Sequence, residues 1–193
     1  MKTLLAVLSL AGCFFLILAL NLGCNGADPM FMGLPTSPID MGDPAKIAGS
    51  WIGTATLTGV DGCGCIGTTF QSRIGSSYRF ANQVLQSGER IWGAVEEKGS
   101  SNHLNEGTCQ FTGTVFGDRS NQESRDCTHP TITRTCSDGS RTNTLSFKSY
   151  RKWGPVSPSQ MSGDIYVTFT CARPNGTETG DMRLIYSFVQ TRN

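Results

Sequence analysis

Between residues 49 and 58 the chain reads GSWIGTATLT. Trp51, Gly53, Ala55 and Leu57 fall on one side of an extended backbone, and Ile52, Thr54, Thr56 and Thr58 fall on the other. A period of two predicts a strand with one face on a core. The same period recurs along the chain. Tyr78, Phe80 and Val84 share a face that Asn82 interrupts, and Ile91, Gly93 and Val95 follow a turn at Ser87-Gly88. Cys109, Phe111, Gly113 and Val115 alternate with Gln110, Thr112 and Thr114 up to Gly117-Asp118. Leu145 with Phe147, then Ile165, Val167, Phe169 and Cys171, then Met182, Leu184, Tyr186 and Phe188 repeat the pattern. A weaker strand spans 131–136, and the Asn-Gly pair of Pro174-Asn175-Gly176-Thr177 predicts a type I′ hairpin.

Cys65 to Ile74 is read as one short helical turn, and no sustained helical period follows residue 24. Short strands at regular spacing predict an all-β fold. The expectation is an antiparallel up-and-down β-barrel of about eight strands over 45–193, with a β-sandwich as the alternative. Closure removes the sheet edges that would template aggregation.

The opening residues follow a different pattern. Lys2 precedes an almost unbroken apolar run from Leu4 to Gly23, and the first acidic residue is Asp28. A basic start, an apolar core and a small terminal residue make a secretory leader over 1–23. The run is also long enough to span a bilayer as an uncleaved helix. Gly23-Cys24 at its end resembles the lipobox of bacterial lipoproteins, which implies acylation of Cys24 as the new N-terminus. Leu10-Ala11-Gly12-Cys13 matches in letters, but its apolar segment is too short. Residues 24–44, rich in Pro and Gly, read as a flexible tether. These features place the domain outside the cytoplasm in the cell envelope, attached by lipid at Cys24. An uncleaved helix or simple secretion is the alternative.

Gly49-Ser50-Trp51 on the opening strand resembles the Gly-x-Trp signature of the calycins, the lipocalins and avidins. The resemblance implies an eight-stranded barrel with Trp51 plugging one end under an Arg of the last strand, either Arg183 or Arg192. It also implies a ligand site with Trp51 at its floor.

Six cysteines remain in the domain: Cys63, Cys65, Cys109, Cys127, Cys136 and Cys171. An even number in an exported chain predicts disulfides, up to three. One glycine separates Cys63 from Cys65, so both point to one face of an extended chain and are expected to bond to different partners. Cys63-Gly64-Cys65 and Cys127-Thr128-His129 have soft ligands, but not at zinc-site spacing. No metal and no cofactor is expected.

Charge adds little. With Lys2 set aside, basic and acidic residues balance at 15 each, which gives no field for nucleic acid. Arg134, Arg141, Lys148, Arg151 and Lys152 are locally basic and read as solvated positions. Neither His103 nor His129 accompanies a recognisable nucleophile. Glu96 and Glu97 face opposite ways on a strand and read as surface carboxylates. Asp118 and Asp138 are turn residues. The expectation is a non-catalytic binding module, anchored through membrane lipid, for a small apolar ligand or a protein partner. The alternative is a structural envelope protein with a filled barrel. The bulky inward set of Trp51, Phe80, Phe111, Phe147, Phe169, Tyr186 and Phe188 favours filling. The glycines at 53, 93 and 113 favour room inside.

Overall fold

The alternation of the opening strand continues to Gly62, and every later apolar face turns towards the same interior. The computed structural model describes residues 43–98, 107–136 and 138–193. The leader, Cys24 and His103 lie outside the described residues. The elements are β1 (Gly49–Gly62), α1 (Cys65–Gln71), β2 (Ser77–Ser87), β3 (Arg90–Lys98), β4 (Gly107–Phe116), β5 (Arg119–Cys127), β6 (Ile132–Thr135), β7 (Thr142–Pro155), β8 (Gln160–Ala172) and β9 (Glu178–Arg192).

Consecutive strands pair antiparallel from β1 to β5. β5 then pairs with β7, β7 with β8, β8 with β9, and β9 returns to β1. The result is a closed antiparallel barrel of eight strands. β6 is an additional strand on the first residues of β7, from Leu145 back to Thr142. β5 holds the other half of β7, from Tyr150 to Pro155.

Two sequence expectations are corrected here. The strand expected at 131–136 lies outside the barrel, and β5 is the barrel strand that the apolar pattern misses. Its inward residues are Ser120, Gln122 and Ser124, so no apolar alternation marks it. The turn at 173–177 is not type I′. Gly176 donates to the Arg173 carbonyl at 2.9 Å, and Gly176 alone in this turn has positive φ, at 83°. Type I′ needs positive φ at both central residues, and Pro174 holds its own φ near −65°.

Each barrel end is covered. At one end Ile47 and Trp51 are buried, and Trp51 Nε1 donates to the Ile47 carbonyl at 2.8 Å. At the other end α1 buries Ile66 and Phe70. Gly62, Cys63 and Gly64, with φ of 87°, 56° and 54°, reverse the chain from β1 into this helix. A non-glycine residue pays about 1–2 kcal/mol there, and a disulfide holds the turn. Cys63 bonds Cys171 of β8, and Cys65 bonds Cys136 beyond β6. Cys109 bonds Cys127 directly across β4 and β5. All six domain cysteines are thus paired, with Cys63 and Cys65 on different partners.

Candidate functional site

The barrel interior is not purely apolar. Lys152 of β7 is fully buried, with its Nζ 4.7 Å from the Phe188 ring centre and 5.4 Å from that of Phe80. Its amine donates to Gln190 Oε1. With the Asn82 amide turned to present its oxygen, it also meets Asn82 at 2.7 Å. No carboxylate pairs with it among the described residues, and burial pushes the amine well below its ordinary pKa. Removing an ammonium from water without a counter-charge is unfavourable, which is the cause of that lowering.

Gln122 stands opposite Lys152 in the β5–β7 register. Both of its amide atoms are buried without a hydrogen-bond partner, as are Gln190 Nε2 and Tyr150 Oη. Each such atom costs roughly 1–3 kcal/mol.

A second polar group lies towards the α1 end. Tyr78 Oη donates to Glu97 Oε1 at 3.2 Å. Glu97 Oε2 accepts no hydrogen bond and lies 3.7 Å from His129 Nε2, with both side chains enclosed. Burial pushes the Glu97 carboxyl up to about 8, against the lowering effect of the Tyr78 hydroxyl. His129 stacks on Phe147 at 4.9 Å and meets Phe169 edge-on at 5.9 Å.

These residues correct two expectations. Glu97 is not a surface carboxylate, although Glu96 is exposed. Lys152 is not a solvated member of a basic stretch. Its neighbours are solvent-facing ion pairs: Lys148 binds Asp181 at 2.5 Å, and Arg151 binds Glu123 at 2.8 Å. The available signal was Asn82 and Gln190, each a polar residue on an otherwise apolar face.

The glycines at 53, 93 and 113 sit where a side chain would meet the neighbouring strand or Gln190. A Cβ on Gly93 would lie 1.8 Å from the Gln83 carbonyl oxygen, and one on Gly113 would lie 2.0 Å from that of Asn121. The place beside Gly53 is filled by Gln190, whose Cγ lies 2.3 Å from a Cβ position there. Trp51 is buried beneath Arg192, at 5.6 Å from ring centre to guanidinium carbon.

A concavity lies on the outside of the barrel. A groove of about 890 Å³ crosses β5, β7, β8 and β9. The parity of β7 places Arg151 and Trp153 outward in it, beside Tyr166 of β8 and Arg183 of β9. Phe116 and Arg119, paired across the β4–β5 turn, form another wall. Phe116 and Trp153 are 45% and 42% exposed, large values for aromatic side chains on a folded domain. Past Thr114, Asn121 and Glu123 the surface continues to Trp92.

No family model, curated protein or solved structure matches this chain. The site is therefore read from its own chemistry. Of the six groove residues named, three are arginines and three are aromatic, and Glu123 is the acidic group among its lining residues. Such a surface suits binding. The interior groups are packed against aromatic rings and shielded at both ends.

Proposed function

We propose that this chain is an exported, membrane-tethered β-barrel that binds a protein partner without catalysis, through the outer groove of β5, β7, β8 and β9. The observation that carries this reading is the groove's composition. Trp, Tyr and Arg are the residues that most often anchor protein interfaces, and Trp153, Tyr166, Arg119, Arg151 and Arg183 meet there. Three guanidinium groups against one carboxylate favour a partner segment that presents acidic side chains. A small apolar ligand inside the barrel is less well supported, because it could not satisfy the amides of Gln122 and Gln190. Attachment rests on the leader and on Gly23-Cys24. The place of Trp51 beneath Arg192 supports a calycin-like relationship.

A photo-crosslinking residue placed at Trp153 or Phe116 in the producing cell tests the groove. Discrete adducts are expected there, with none at exposed Ile74. Arg183→Glu should abolish them. Equal labelling at Ile74, or adducts indifferent to Arg183→Glu, would remove the groove from consideration. For the anchor, labelled fatty acid should enter the wild type and not Cys24→Ala.

A further inference from the structure

Cys109, Cys127 and His129 bring two sulfurs and a ring nitrogen within 4.8 Å of one another. Nε2 of His129 lies 3.8 Å from Cys109 Sγ and 3.7 Å from Glu97 Oε2. A tetrahedral Zn²⁺ with sulfur ligands at about 2.3 Å and nitrogen or oxygen ligands at about 2.0–2.2 Å spaces neighbouring ligand atoms roughly 3.3–3.8 Å apart. Two edges of that tetrahedron are thus already present. The fourth donor is a separate observation, since Glu97 Oε2 is buried, accepts no hydrogen bond and faces the histidine.

We propose that Cys109, Cys127, His129 and Glu97 form a binding site for Zn²⁺ or a similar divalent cation that exists only when the Cys109–Cys127 disulfide is reduced. In the disulfide the sulfurs are bonded to each other and offer no thiolate. A dithiol reductant supplies two electrons and two protons, giving two cysteine thiols and a new disulfide on the reductant. The thiols then lose their protons to solvent as they bind the metal, and Glu97 loses its proton in the same step. His129 ligates through Nε2 as the neutral imidazole. Cys127 is half-buried, so a reductant has a route to the bond.

Reduction leaves the four donors in place. Cys109 and Cys127 are directly opposed in the β4–β5 ladder, with Cα atoms 4.0 Å apart. Glu97 is set by the β3–β4 ladder, opposite Gly107. His129 packs over that same Gly107, whose missing side chain admits the ring: a Cβ would lie 3.1 Å from Nδ1.

The test uses the full chain, oxidised and reduced with a phosphine, titrated with Co²⁺ as a spectroscopic probe. The reduced protein should bind Co²⁺ in stoichiometric amount with sulfur-to-cobalt charge-transfer and tetrahedral ligand-field bands. The oxidised protein should show neither. His129→Ala and Glu97→Gln should each weaken binding at least about tenfold. Cys63→Ala with Cys171→Ala should not weaken it. Circular dichroism of the reduced chain separates a lost fold from a lost site. A reduced chain that stays folded and takes up no Co²⁺ overturns the proposal. So does one that unfolds and is not recovered by Zn²⁺, or binding that is indifferent to His129 and Glu97.

Discussion

Arg192 on the last strand lies across the ring of Trp51 on the first, and the two are direct partners in the β1–β9 register. Arg192 also donates to the carbonyls of Ala48 and Pro158. One side chain thus ties the entering chain, the β7–β8 connection and the plug residue together where the barrel closes. Trp51→Ala should lose about 3–5 kcal/mol through the cavity it leaves. Arg192→Ala should lose less, about 1–2 kcal/mol, from one cation–π contact and two surface hydrogen bonds. Urea titration would measure both. An arginine variant as damaging as the tryptophan variant would contradict this account.

Lys152 sets a pH dependence with a definite sign. Its amine is held below the ordinary value of 10.5 in the folded chain and titrates normally in the unfolded one. As pH falls below 10.5, the unfolded chain takes a proton that the folded chain refuses, so stability falls. The groups around it, Asn82, Gln190, Gln122, Phe80 and Phe188, do not titrate. Lys152→Met should gain on wild type by up to about 1.4 kcal/mol for each pH unit descended in that window. Stability profiles that run parallel as pH descends from 10.5 would refute the assignment.

Glu97 acts in the opposite direction. Its carboxyl is raised from 4.5 to about 8 in the folded, oxidised protein. Between those values the folded chain keeps a proton that the unfolded chain releases. This contribution is complete below pH 4.5 and is lost as pH rises through 8. Tyr78, Tyr150 and His129 are the titratable groups named around it. Glu97→Gln should be more stable than wild type above pH 8 by a few kcal/mol, and should flatten the slope between pH 5 and 8. Denaturation midpoints across that range would decide it.

The cysteine pairing is directly checkable. Peptide mapping without reduction should return Cys63–Cys171, Cys65–Cys136 and Cys109–Cys127, with no alkylatable thiol among these six. The first closes the longest stretch, 108 residues, and its removal should destabilise more than that of Cys109–Cys127, which closes 18. In the chain-entropy account the difference is about 1–2 kcal/mol.

Much of the barrel was legible along the chain. A side chain on an extended backbone faces one of two ways, so Trp51, Phe80, Phe111, Phe169 and Phe188 declared their faces by alternation alone. The short helix after Cys65 and the tight turns at Gly88 and Gly117 were legible for the same local reason. β5 was not, because its inward Ser120, Gln122 and Ser124 carry no apolar signal. Which strands pair was not legible either, since β1 meets β9 across more than a hundred residues.

Lys152 shows the limit most sharply. Leu145 and Phe147 put the odd residues of β7 inward. A bulge between Phe147 and Ser149 then adds one residue and reverses the parity. Beyond it Tyr150, Lys152 and Gly154 are buried, while Arg151 and Trp153 face the groove. One irregularity in the β7–β8 ladder therefore decides both the polar interior and the outer aromatic wall. The sequence by itself determined which residues alternate. Only the tertiary structure decided which of them lies inside, because a bulge is set by the pairing of two strands and leaves no mark on either one read alone.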